Sequence, residues 1–171
     1  MIAINHTYLN GREDPVGDHS DDTCFVCRKH RGEASIPGGI IFESDLIVIS
    51  HAQFLGDEKE HYLGHLFVET KRHVAELGDL TPEEAREVGL WVSRASKALM
   101  HVLNMEHVYA FAIIDGVPHV HIHVIGRYPG APREYWGAKV DEWPAAPKGD
   151  EATIARVAEK VRDYLSTQTK D

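Results

Sequence analysis

From residue 40 onward short apolar runs alternate with polar breaks, and only two stretches carry the three-to-four spacing of a helix. Ile40-Ile41-Phe42-Glu43 and Leu46-Ile47-Val48-Ile49-Ser50 are apolar runs joined by Ser44-Asp45, which predicts a β-hairpin. A polar loop over 52–61 leads to a strand over 62–69. In that strand His65, Phe67 and Glu69 share one face, and Leu63, Leu66 and Val68 supply apolar bulk. Thr81-Pro82-Glu83-Glu84 combines an N-cap, a proline at the first helical position and a capping-box glutamate. The helix it opens runs to about Leu103, with Val88, Val92, Ala95, Leu99 and Val102 in one apolar stripe. Trp91 and Met100 add to that stripe as core or as a subunit contact.

A strand over 108–114 and the turn Asp115-Gly116 precede Pro118-His119-Val120-His121-Ile122-His123-Val124-Ile125, which returns antiparallel. Imidazoles and aliphatics alternate here with a period of two. Val120, Ile122 and Val124 are expected in the core, and His119, His121 and His123 on the opposite face. Residues 128–149 are rich in Pro, Gly and aromatics, and read either as a packed surface loop or as a lid that brings Arg127 and Arg133 near a leaving group. Glu151 to Leu165 reads as a second helix, with Ile154, Val157, Val161 and Tyr164 on one face. The expectation is an α+β domain: an antiparallel sheet of about five strands, one long central helix and a C-terminal helix. Residues 1–23, polar and without a period, form an N-terminal arm. Residues 24–128 carry the main domain, and the loop and helix of 129–171 pack on it.

Composition narrows the function classes. With 171 residues, 43% hydrophobic and 26% charged, the chain is long enough for one domain with its own core. A net charge of −9 argues against an extended nucleic-acid surface, which needs a basic face, but permits a small phosphate-bearing ligand. No apolar run reaches the ~18 residues of a membrane span. Met1-Ile2-Ala3-Ile4-Asn5-His6 has no signal-peptide pattern, so a cytoplasmic location is expected. Of the 12 histidines, His6, His19, His30, His61, His101 and His107 are expected as surface or rim residues.

Two groups of residues carry chemistry. Successive triad imidazoles stand roughly 6–7 Å apart along a strand, each able to give or take a proton near neutral pH. They suit either a three-histidine metal site, for which carboxylate partners are missing nearby, or nucleophilic catalysis at phosphorus. Cys24 and Cys27 have the spacing of two thiolates on one tetrahedral metal, with a thioredoxin-like redox pair as the rival. The next residues, Arg28-Lys29-His30-Arg31, read as a solvated turn and a poor helix opening.

His119-x-His121-x-His123 followed by two aliphatics resembles the signature of the histidine triad family of nucleotidyl hydrolases and transferases. Tyr62-Leu63-Gly64-His65-Leu66-Phe67-Val68 with Thr70-Lys71-Arg72-His73-Val74 is similar to that family's strand and basic turn, and Cys24-x-x-Cys27 to its zinc-containing branch. The resemblance spans roughly residues 24 to 128. It implies His121 as the nucleophile that becomes nucleotidylated, with His123 holding phosphate oxygens or assisting the leaving group. It also implies His65 beside the site and His119 bonding within it. Structural zinc is implied on Cys24, Cys27, His73 and His119. Asp115 and Gly116 occupy the phosphate-binding turn, where backbone N–H groups suit an anionic oxygen. Many family members have Gly-Gln-Ser or Gly-Gln-Thr before the triad, whereas this chain has Asp115-Gly116-Val117-Pro118. The implied activity is hydrolysis of a dinucleoside polyphosphate or nucleoside phosphoramidate, with an adenine nucleotide favoured, by a homodimer. The alternatives are a nucleotidyl transferase, with Trp136 and Trp143 shaping an acceptor site, and a zinc-stabilised nucleotide-binding protein with little turnover.

Overall fold

The computed structural model describes residues 21–54, 56 and 58–168. The 1–23 arm, His6 and His19 therefore lie wholly or almost wholly outside the described residues. Five strands form one antiparallel sheet: β1 (Ile40–Glu43), β2 (Ile47–His51), β4 (His65–Thr70), β5 (His107–Ala112) and β6 (His121–Arg127). Their order is β1-β2-β4-β6-β5. Strands β3 (His61–Tyr62) and β7 (Lys148–Gly149) pair in a separate ribbon. The helices are α1 (Phe25–His30), α2 (Pro82–Val102) and α3 (Glu151–Gln168). This is the expected α+β architecture.

The long helix starts where its capping signal says. Thr81 Oγ1 accepts from the Glu84 N–H at 3.2 Å, and Glu84 Oε2 accepts from the Thr81 N–H at 2.8 Å. Its stripe packs on one face of the sheet. Val88, Trp91, Ala95 and Leu99 are buried with Ile47, Ile49, Leu66, Val68, Ile122 and Val124, and α3 adds Val157, Val161 and Leu165. Trp91 is core, stacked on Phe42 with ring centroids 3.5 Å apart, whereas Met100 is 48% exposed.

Two strands differ from their expected bounds. The 62–69 strand breaks at Leu63-Gly64, where Gly64 takes φ +89°. A Cβ there would stand 2.2 Å from Met105 Cε, so a left-handed glycine under a distant methionine splits β3 from β4. The triad strand begins at His121. His119 and Val120 form an entry segment in which the Val120 N–H donates to Val74 O at 2.7 Å and Val120 O accepts from the Thr70 N–H at 3.2 Å. The β5–β6 connection is thus longer than a two-residue hairpin turn. All three histidines are buried, because the second sheet face is covered as well. At one end α1 covers it. At the other, Val140, Ala146 and Trp143 of the 128–149 stretch pack on Tyr62, Ile125 and Tyr109.

Arg28-Lys29-His30-Arg31 is not a solvated turn. Arg28, Lys29 and His30 form the second half of α1 and Arg31 caps it; Arg28 and Arg31 are exposed, whereas Lys29 is only 2% exposed. Lys29 and His30 face a buried carboxylate, Glu69, and that pairing outweighs the local tendency of a basic run to stay in water. His61, expected at the rim, is buried as well, while His101 and His107 are exposed.

Candidate active site

Register brings the site together. Antiparallel pairing sets Glu69 opposite His121, Phe67 opposite His123 and Phe111 opposite His123. These side chains therefore share one sheet face. His121, His123, Phe67 and Glu69 line a cleft whose roof is α1, through Phe25, Val26 and Lys29. Gly116 and Val117 of the β5–β6 connection close it from the side. Its cavity volume is about 140 Å³, and it opens to solvent.

Hydrogen bonds fix the imidazole tautomers. His121 Nδ1 lies 2.7 Å from the carbonyl oxygen of His119. A carbonyl only accepts, so Nδ1 carries the hydrogen and Nε2 keeps its lone pair. Burial holds His121 below its ordinary pKa, with the His119 carbonyl opposing. His123 Nδ1 meets His65 Nε2 at 2.9 Å, and His65 Nδ1 has no partner. If His65 donates from Nε2, its Nδ1 is left as an unpaired acceptor; the opposite arrangement would bury an orphan N–H donor. The first is the cheaper state, and it leaves His123 Nε2–H as a donor. Burial, and after it the proximity of His121, pushes His123 down to about 3, and His65 is held well below the ordinary range by burial and by His123. Both rings are neutral at physiological pH. Burial alone would raise Glu69, but Lys29 and His30 hold its carboxyl down at about 2.

His119 belongs to a neighbouring cluster. Its Nε2 donates to Thr70 O at 2.7 Å, so Nδ1 presents a lone pair, 3.4 Å from Cys24 Sγ and 3.5 Å from Cys27 Sγ. His73 Nδ1 lies 3.5 Å from Cys27 Sγ. The four donor atoms fall within 4.8 Å of one another. Burial and then Cys24 push the Cys27 thiol up to about 12. Cys24, Cys27, His73 and His119 can hold one metal ion, with the Thr70 carbonyl orienting a ligating imidazole from behind.

The remaining sequence candidates are distributed around this centre. His65 backs His123 without lining the cleft, and Asp115 is exposed and outside the lining, whereas Gly116 is part of it. Arg127 does not line the cleft. It sits six residues beyond His121, about 20 Å along the strand, bound to Tyr109 Oη at 3.1 Å and stacked over Trp136 at 3.8 Å. Among the described residues none of 128–149 lines the cleft, and Val140, Trp143 and Ala146 of that stretch pack on Tyr62 and Ile125. Lys29, Glu69 and Phe25 went unassigned from sequence. The same-face spacing of Glu69 with His65 was the available signal, since a carboxylate on a covered face requires a cation.

A family model, the HIT domain, matches residues 33–130, more than half of the chain. The chain belongs to this family. Cys24 and Cys27 precede the matched stretch of the histidine triad domain. Solved structures share the fold. A hypothetical histidine triad nucleotide-binding protein from Sulfolobus tokodaii superposes with a TM-score of 0.64 at 14% identity, over 84% of this chain and 93% of that one. A Zn-bound histidine triad family protein from Mycobacterium smegmatis gives 0.62 at 19% identity, over 87% and 99%. A histidine triad protein from Sinorhizobium meliloti gives 0.60 at 19%, over 85% and 100%. No curated protein matches the sequence.

Proposed function

We propose that this histidine triad protein is a hydrolase that cleaves a nucleoside 5′-phosphoric bond through a nucleotidyl-His121 intermediate. The observation that carries this reading is the bond from His121 Nδ1–H to the His119 carbonyl, which leaves Nε2 unprotonated on a residue that lines the cleft. Neutral imidazole is a competent nucleophile at phosphorus. His121 Nε2 attacks, the bond from phosphorus to the leaving group breaks, and water then cleaves the N–P bond to release a nucleoside monophosphate. His123, held neutral and donating from Nε2, binds a phosphoryl oxygen. Gly116, rather than the exposed Asp115, brings backbone to the phosphate. His65 acts through His123.

A neutral His123 is a poor proton store, which supports a leaving group that departs as a stable anion, the phosphate end of a dinucleoside polyphosphate. Zinc fits Cys24, Cys27, His73 and His119, and with four protein ligands it is structural. Two thiolate ligands fit a reducing compartment, the cytoplasm. The open outer edge of β5 and the exposed Leu90 and Met100 support a homodimer.

The test is mass spectrometry of protein acid-quenched milliseconds to seconds after mixing with diadenosine tetraphosphate or adenosine phosphoramidate. A species heavier by one AMP is expected in the wild type and absent in His121→Ala, which keeps the fold and loses turnover. His121→Ala turning over within about tenfold of wild type would remove His121 from the role assigned to a nucleophile.

A further inference from the structure

Nucleotidyl transfer to His121 leaves one feature of the cleft unused, an ion pair buried in its wall. Lys29 is 2% exposed and Glu69 1%. Lys29 Nζ donates to Glu69 Oε1 at 2.5 Å and to Ser50 Oγ at 3.3 Å, while His30 Nε2 holds Glu69 Oε2 at 3.0 Å. Taking two charges out of water is costly, and apolar residues of similar volume would fasten α1 to the sheet at least as well. The pair therefore calls for a role beyond packing.

Its placement indicates one. Ser50 lies on β2, Glu69 on β4 and His121 on β6, in that spatial order. The carboxylate thus stands between the Lys29 ammonium and the His121 ring. Glu69 and His121 are direct cross-strand partners on one face, with Cβ atoms about 4.5–5.5 Å apart. The chemistry at His121 creates charge there. Its Nε2 lone pair forms the N–P bond, the P–O bond to the leaving phosphate breaks, and the electron pair departs on the leaving oxygen. No proton moves, because Nδ1–H stays on the His119 carbonyl. The nucleotidylated ring consequently carries a full positive charge in a buried site.

Building on the proposed function, we propose that Glu69 is a positioning residue that stabilises the cationic nucleotidyl-His121 and the transition state leading to it, with Lys29 and His30 fixing its carboxylate in place. Such stabilisation is directional: it speeds formation of the adduct and slows its hydrolysis. A pair that only held α1 down would not separate the two steps.

The experiment is rapid-quench kinetics with diadenosine tetraphosphate on the full-length, zinc-loaded protein, resolving adduct formation from adduct hydrolysis. Glu69→Gln keeps the size and an acceptor for Lys29 while removing the charge. Adduct formation is expected to slow by about tenfold or more, with hydrolysis of the adduct unchanged or faster. Lys29→Met/Glu69→Leu, an apolar replacement of the pair, carries the same expected signature if Glu69→Gln does not fold. Equal slowing of both steps, or no change in either, overturns the proposal, as does failure of both variants to fold, which would assign the pair to stability alone. A wild-type protein that forms no adduct overturns the nucleotidyl-transfer reading itself and this inference with it.

Discussion

Removing the metal from the Cys24, Cys27, His73 and His119 site should loosen α1 and open the cleft. An ion bound at about 2.3 Å to sulfur and 2.0–2.1 Å to nitrogen in tetrahedral geometry sets S···N edges of about 3.5 Å. Three S···N separations here are 3.4 and 3.5 Å, and all four donor atoms lie within 4.8 Å of one another, so the ligands are gathered close to binding positions. Helix α1 has six residues, too few to persist without tertiary anchors. Its other anchor is the contact of Lys29 and His30 with Glu69. Zinc present at a thousandfold over its dissociation constant adds about 4 kcal/mol to folding. For a chain of this size that corresponds to a fall in Tm of about 8–16 °C on chelation. Differential scanning calorimetry before and after chelation, paired with elemental analysis, measures it. Cys27→Ser should reproduce both the Tm shift and the loss of bound zinc. Purified protein without stoichiometric zinc, or a chelation shift below about 2 °C, would refute the reasoning.

Other outcomes follow from packing and burial. Leu99→Ala, at a fully buried position between α2 and the sheet, should cost about 2–5 kcal/mol in chemical denaturation. A cost under about 1 kcal/mol would mean that the site collapses around the deletion. Gly126→Ala places a Cβ 1.5 Å from Met105 Sδ, and should destabilise by about 1–3 kcal/mol. Adding Met105→Ala should recover part of that loss, and simple additivity of the two would refute the steric account. His51 and His123, held by burial at about 4 and about 3, stay neutral in the fold while the unfolded chain takes up protons below about 6.5. Their stabilising contribution is present above that pH and is lost as pH falls toward the folded values. Glu84, bonded to Arg72 and lowered to about 2, adds a second decline below about 4.5. Tm should therefore drop between pH 7.5 and 5, and a flat profile across that range would contradict it.

Much of the fold was legible because its signals are local. The Thr81–Glu84 capping box, the α2 stripe and the alternation through Val120, Ile122 and Val124 each depend on neighbours within a few residues, and each is found where expected. The departures share one cause. The break at Gly64 depends on Met105, and the burial of Lys29 depends on Glu69, partners about 40 residues away in either case. A basic run reads as solvated until its counter-charge is known, and only strand register places that counter-charge.

His119 shows how a local spacing encodes a non-local arrangement. Its ring faces both thiols, held there by Thr70 O, while its carbonyl accepts from His121 two residues on. One residue thus joins the Cys/His cluster to the orientation of the proposed nucleophile through its own backbone. The distance between the two is set by covalent geometry and not by packing. Because His119 precedes β6 instead of lying within it, its peptide is not committed to the sheet ladder at that oxygen, which leaves the carbonyl available to the imidazole. A triad lying wholly in a regular strand would spend that oxygen on a neighbouring strand or direct it along the sheet. The irregular entry into β6 is therefore what allows an alternating histidine pattern to present one ring to the Cys24/Cys27 thiols and the next to the cleft.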